Sequence, residues 1–473
     1  MQSMQRLVGR RRRRAQRSIA VSLACSVLLL VNSSTLTPAV AAHAQQTTTP
    51  ATWPTYLFGA TRSGFNASET TITPASAPHL KLHWKLHIAS AISAQPISDN
   101  NLIYWGSWDG FEHATSLTGA PVWATNLGQS SATCTTLHGV TSTATTFAVN
   151  GRPTLLVGGG NKRMYALDAL TGAVIWQRSL GNYIWSSPLV ANGSVYSGTA
   201  SLGDCPNIHG QFLQLNATTG VIQHTFDVVP TGCTGGSVWG SPTLDPAANM
   251  IYIATGNLGT CAKPELYPEA IVQLDASTLI PVASWQIPAA QRASDGDFGS
   301  TPTLFQATIA GSTHTLVGVA NKNGFYYAFD TAAIAHGPLW QDKIAIGGAS
   351  PERGQGSISP SAWDGATLYV AGGNTTINSV SCKGSVRALD PATGAYLWQD
   401  CLSSFVLAAV SVVPGVAAVD VGTALMLVAT ASGAKLFTFK DTTSGSRFWG
   451  PASLIGGIIY QGNMDGALFA IGT

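Results

Sequence analysis

At 473 residues, with 50 Gly, 24 Pro and 13 Trp but only 10% charged residues, the chain suits many short strands and tight turns, and this excludes a helical bundle or a disordered polymer. Its formal charge of +2 is misleading, because Arg6, Arg10 to Arg14 and Arg17 all precede residue 45. Without those seven, 17 basic residues face 22 acidic ones, a net of −5, which excludes the basic surface that nucleic acid binding requires.

In chain order, the arginine cluster is followed by the apolar run "IAVSLACSVLLLV" and by "AVAAHAQQ". A charged start, a short apolar stretch and A-x-A sites predict a secretory signal over 1–44 and a flexible linker over 45–52. The run is short for a transmembrane helix, so the mature chain is expected to be secreted or periplasmic with no stable membrane span; an uncleaved anchor is the competing reading. Losing Cys25 with the signal leaves six cysteines, an even number in an oxidising compartment. Hairpin geometry suggests Cys382–Cys401 and Cys205–Cys233, since each pair flanks a "PATG" or "ATTG" turn; Cys134 and Cys261 are left over, to pair or stay free. No C-x-x-C-H motif is present, so no covalent haem is expected.

From residue 84 onward one pattern recurs: strand, short turn, strand, aromatic. It reads "YALDALTGAVIW" (165–176), "VQLDASTLIPVASW" (272–285), "YAFDTAAIAHGPLW" (327–340) and "VRALDPATGAYLW" (386–398), with weaker copies at 113–123, 213–226 and 436–449. The Asp or Asn is suited to capping the turn's amides, Gly supplies a positive φ, and the aromatic buries area between neighbouring sheets. Single hairpins cannot bury such a face, so they must stack. The aromatics fall at 84, 123, 176, 226, 285, 340, 398 and 449, a spacing that fits four-stranded blades. The last repeat, "GALFAIGT", lacks its outer strand, and "LKLHWKLHI" is placed to supply it. The expected fold is therefore all-β: one eight-bladed β-propeller over 53–473, its last blade closed by an N-terminal strand. A β-helix or two stacked sandwiches is the competing architecture.

These repeats resemble the pyrroloquinoline quinone (PQQ) repeat, from "WPTYLFGATRSGFN" through to "IYQGNMDGALFAIG". They are most similar to the polyvinyl alcohol dehydrogenase-like branch of the quinoprotein alcohol dehydrogenases. Non-enzymatic propellers, outer-membrane assembly factors among them, carry the repeat too. The resemblance implies roles for five residues. Trp239 in "SVWGSPTLD" matches the floor under the quinone, and Lys322 in "GVANKNGFYYAFD" the contact to the quinone oxygens. Asn257 in "IYIATGNLG" matches a calcium ligand, and Asp297 in "SDGDFGSTPTLF" the catalytic base. Asp204 in "GTASLGDCPNIHG" stands where relatives supply an acidic calcium ligand, many of them with Glu. Gly299 stands where lanthanide-using relatives carry a further Asp, which favours calcium. Two departures are plain: the chain has no adjacent Cys-Cys pair, and "LHGVTSTATT" (137–146) stands where some relatives place an arginine.

Each residue also has an ordinary reading, as packing tryptophan, turn asparagine or solvated acid. Taken together they imply a secreted or periplasmic enzyme that uses PQQ and calcium to oxidise an alcohol, secondary and polymeric alcohols included, to a carbonyl. Electrons would pass to an external cytochrome c or quinone. The alternatives are a non-catalytic PQQ-like propeller that binds protein or polymer, and a calcium-stabilised sugar or polymer binder that lost the quinone.

Overall fold

The computed structural model describes residues 52–473. The expected signal sequence, and the expected linker up to residue 51, lie outside the described residues. Eight four-stranded antiparallel sheets follow one another along the chain as blades 1 to 8. Blade 1 comprises Ile97–Asp99, Leu102–Gly106, Phe111–Ser116 and Pro121–Asn126. The innermost strands of blades 2 to 8 are Thr145–Val149, Leu189–Ala191, Thr243–Asp245, Thr303–Ile309, Ala362–Trp363, Ser411–Val413 and Ser453–Ile455. A two-stranded hairpin, Thr375–Ile377 with Val380–Cys382, rides on blade 6. Helix is confined to short 3-10 turns such as Ala77–His79. The last blade closes as expected: Lys81–His87 pairs with Ala467–Gly472, with Trp84 opposite Ala470. That pairing gives the C-terminal sheet its outer strand and leaves the ring without an open end.

The repeat chemistry works through neighbouring blades. Asp168 Oδ1 accepts from the amides of Leu170 and Thr171 at 3.1 and 2.9 Å, and Asn216, Asp275 and Asp390 cap their turns in the same way. Five tryptophans each sit opposite a small partner in the adjacent strand: Trp84, Trp123, Trp176, Trp340 and Trp398 face Ala470, Ala114, Ala166, Ala328 and Ala388. Each indole N–H then donates to a turn carbonyl of the next blade; Trp123, for instance, reaches Ala169 at 3.0 Å. The turn glycine packs on the same ring. At Gly172, with φ +72°, an added Cβ would lie 2.6 Å from Trp123 Cδ2. Glycine is required there for both its conformation and its lack of bulk.

Three aromatic positions differ from the sequence reading. In blade 7 the residue opposite Leu427 is Phe437, and Trp449 lies beyond the strand, on the axial cavity. Phe226 and Trp285 stand opposite Phe212 and Ile271, two residues further along than the repeat position, which His224 and Ala283 occupy. The outer strand keeps the same face every second residue, so an aromatic two residues along still packs between blades.

The three disulfides among the described residues are Cys134–Cys205, Cys233–Cys261 and Cys382–Cys401. The third was expected, but Cys205–Cys233 is corrected. The antiparallel pairing around "ATTG" ends at Gln211 and Asp227; beyond it His209 bridges Gly235 in parallel, so the hairpin register no longer sets Cys205 opposite Cys233. Cys205 turns towards the loop before blade 2. Cys233 meets Cys261 where Thr234 and Thr260 are hydrogen-bonded at 3.0 Å.

Residues 53–66 were not legible as a structural element, yet they run across one end of the ring and touch every blade. Trp53 pairs with Ser98, Thr146 donates to Pro54, Leu244 to Ala60, Leu304 to Thr61, Trp363 to Ser63 and Val412 to Gly64. Asn66 Nδ2 reaches Leu454 O at 2.9 Å, and Arg62 reaches Pro188 O at 3.5 Å beside blade 3. Arg62 is fully buried among carbonyls, and burial lowers its pKa to about 10. Tyr56, above it, forms part of the floor of a cavity.

Candidate functional site

That cavity, of about 890 Å³, is lined by the segment entering the innermost strand of every blade, which puts it on the axis of the ring. Its two sides differ in chemistry. On blades 2 to 5 the wall is a hydrogen-bonded arc in which one blade's amide donates to the next blade's hydroxyl. Gln95 N reaches Thr143 Oγ1 at 2.8 Å, and Thr143 N to Ser187, Ser187 N to Ser241 and Ser241 N to Thr301 each span 2.9 Å. On blades 6 to 8 it is mostly apolar, with Ile358, Pro360, Leu407, Ala408, Ala409 and Trp449, and Glu352 adds a half-buried carboxylate on the segment leading into blade 6.

Four charged residues gather on the polar side. Lys322 follows the inner-middle strand of blade 5, Ser312–Ala320, and is 7% exposed. Its Nζ lies 2.9 Å from both Asp295 Oδ2 and Asp297 Oδ2 and 5.6 Å from the Trp239 ring centre. Burial works against this ammonium, but the Asp297 and Asp295 carboxylates outweigh it and raise the pKa above the usual lysine value. Asp297 is buried, and its Oδ1 accepts from the Asn257 main-chain N–H at 2.6 Å. Burial and the neighbouring Asp297 charge push the Asp295 carboxyl up, against the pull of Lys322. Asp204 completes the group: one carboxylate oxygen from each of Asp204, Asp295 and Asp297 lies within 4.8 Å of the others.

All five residues singled out in the sequence therefore lie in or against one site. Asp204, Trp239 and Lys322 line the cavity. Asp297 lies directly behind Lys322, and Asn257 reaches the group through its backbone. Asp295, two residues before Asp297, was not singled out in the sequence, and its place in the trio is what the sequence reading missed. Its Oδ1 is buried without a hydrogen-bond partner. Three carboxylates with one ammonium leave a local charge of −2, and hard oxygen donors at this spacing are the chemistry of a divalent or trivalent oxophilic cation. Trp239, half-buried, offers an indole face beside them. Its ring packs so tightly on Gly299 that a Cβ there would fall inside its van der Waals shell.

Also unforeseen is an aromatic rim. Trp108 lies against His138, its ring tilted by 39°, at 4.0 Å between ring centres, and Trp185 and Trp449 complete the group at 5.6 and 6.2 Å from His138 and Trp108. They come from loops around blades 1, 3 and 8, so no local sequence pattern joins them.

Residues 112–345 match a PQQ-repeat family model described as outer membrane protein assembly factor BamB. A polyvinylalcohol dehydrogenase from Sphingopyxis sp. (strain 113P3) is 25% identical over 381 residues, covering 69% of this chain and 55% of that protein. One from Pseudomonas sp. is 24% identical over 238 residues, 44% of this chain and 36% of its own length. The matches thus span about half or less of these relatives. In three dimensions the quinohemoprotein alcohol dehydrogenase from Comamonas testosteroni superposes with a TM-score of 0.70 at 18% identity, over 89% of this chain and 80% of that one. In repeat, in relatives and in fold, the chain resembles the PQQ-repeat β-propellers of the quinoprotein alcohol dehydrogenases.

Proposed function

We propose that the chain is an extracytoplasmic quinoprotein dehydrogenase that uses PQQ and a calcium ion to oxidise an alcohol to an aldehyde or ketone. The observation that carries this reading is the convergence of Asp204, Asp295, Asp297 and Lys322 beside Trp239 in an axial cavity. The fit to both groups is chemical. The carboxylate trio with its orphaned oxygen suits a hard cation, Asn257 stands against it, and a planar anion has an indole face and a buried ammonium to rest on. Glycine at 299 leaves the cation no fourth carboxylate from that turn, which favours Ca²⁺ over a more highly charged ion. When bound, the quinone would supply the hydride acceptor and the cation a Lewis acid.

The chain's own residues do the rest. Asp297 Oδ1 is fixed by the Asn257 amide, so its other oxygen is the one free to exchange Lys322 for a substrate hydroxyl. It then takes the hydroxyl proton as general base. Lys322, freed from that oxygen, stabilises negative charge growing beside it. The apolar wall of Ile358, Pro360 and Leu407 excludes water and accepts an uncharged carbon chain, in keeping with secondary or polymeric alcohols. Electrons would leave to a separate cytochrome c or quinone. Among the described residues no helix is long and apolar enough to cross a membrane.

The test is dye-linked alcohol oxidation after reconstitution with PQQ and Ca²⁺. Asp297→Asn should lower turnover at least a hundredfold, the scale of a lost general base, while PQQ still binds. A wild-type protein that binds both groups but oxidises no alcohol in a broad panel would overturn the reading. The scaffold alternative would then gain from the aromatic rim, which would suit a polymer.

A further inference from the structure

Asp204 differs from the other two carboxylates of the trio. Asp297 is buried and held by two partners, whereas Asp204 is exposed, on an irregular segment between the blade 3 strands Ser194–Thr199 and Gln211–Asn216. Its one hydrogen-bond partner among the described residues is the Ser201 hydroxyl. Repulsion from Asp295 and Asp297 acts to drive it outwards into water, where its charge is better solvated. The residue that follows it, Cys205, is covalently tied to Cys134, 71 positions earlier in the loop ahead of blade 2, with the two Cα atoms 5.9 Å apart. Thr133 N adds a hydrogen bond to Cys205 O at 3.3 Å. Cys134 and Thr135 line the same cavity as Asp204.

We propose that the Cys134–Cys205 disulfide is a positioning element for the cation site, holding Asp204 against Asp295 and Asp297 in the absence of metal. This inference rests on the metal reading above. The bond ties the segment that carries Asp204 to the loop ahead of blade 2, so the loop cannot retreat as the carboxylates repel. The work of assembling three like charges is then done on folding, before the cation arrives, and affinity rises accordingly. Cys382–Cys401, which lies at the blade 6 hairpin, has no such connection and is the internal control.

The experiment is calorimetric titration with Ca²⁺ alone, without PQQ or substrate, of wild type, Cys134→Ala/Cys205→Ala, Cys382→Ala/Cys401→Ala, Asp204→Ala, and Asp204→Ala combined with Cys134→Ala/Cys205→Ala. Opening the clasp should weaken calcium binding roughly tenfold or more, the scale seen when groups that orient metal ligands are removed. Opening the control bond should leave it unchanged, and opening the clasp in the Asp204→Ala background should add nothing. An unchanged affinity in the clasp variant, or an equal further loss in the Asp204→Ala background, overturns the proposal. If the clasp variant does not fold, a protein carrying Cys233→Ala/Cys261→Ala and Cys382→Ala/Cys401→Ala, whose remaining disulfide among the described residues is Cys134–Cys205, titrated before and after dithiothreitol in the cold gives the same comparison. Absence of calcium binding by wild type would sink the metal reading itself, and the proposal with it.

Discussion

Lys322 is the residue on which the charge balance of the site turns. With Asp295 and Asp297 each 2.9 Å from its ammonium, its removal leaves two acids facing each other at a site where Asp297 is buried. Lys322→Met should therefore destabilise the metal-free protein by about 3 kcal/mol, in the range for breaking a buried pair, and added Ca²⁺ should restore part of the loss. Thermal melts with and without calcium measure both effects. A second buried acid has no such partner. Glu112 is fully buried with neither carboxylate oxygen hydrogen-bonded, and burial pushes its pKa well above the ordinary value. The folded state therefore keeps this proton after the unfolded chain has lost it, so stability falls as pH rises from the usual carboxylate range towards the folded pKa. Glu112→Gln should raise stability at pH 8 and change it little at pH 4. Each unit of separation between the two pKa values is worth about 1.4 kcal/mol, readable by urea unfolding at the two pH values.

At the scale of the element, the strand–turn–strand unit was legible because its chemistry is local. Asp168, its following turn and Trp176 lie within a dozen residues, and the cap and the turn glycine follow from their types alone. What the turn does for the next blade was not legible, because Trp123 and Gly172 meet only through space. Gly172→Ala should cost about 2 kcal/mol or more, from positive φ and collision with the Trp123 ring. In a Trp123→Ala background the ring's share of the collision should vanish, leaving a smaller increment from φ and from Thr125 Oγ1, which would lie 2.6 Å from the new Cβ, and a double-mutant cycle of melting free energies measures that coupling. Locality also explains the misplaced aromatics and the wrong disulfide. Trp449 is near the right spacing but past its strand, and Cys205 looked paired across its own hairpin while its true partner lies in the loop before blade 2.

For the whole molecule, the count of eight blades and the closing strand could be read from spacing and from the incomplete last repeat, since a ring leaves a distinctive defect at its ends. The axial plug of residues 53–66 could not, because it bonds through main-chain groups that any sequence carries. Deleting residues 52–87 removes the plug and the outer strand of blade 8 together, and should abolish cooperative unfolding, as seen in a calorimetric melt. The candidate site depends on the same closure: its residues come from three consecutive blades, and only the ring brings them to one axis. Five of its members were found by resemblance, and Asp295 by geometry alone. The most direct test of the central claim is a titration with PQQ, with and without Ca²⁺, followed by tryptophan fluorescence in wild type and Trp239→Ala. Calcium-dependent quenching that saturates near one equivalent, and is weakened at least tenfold in Trp239→Ala, is the expected result. No quenching at tens of micromolar PQQ with calcium present would contradict it, and would leave a PQQ-like propeller without the quinone.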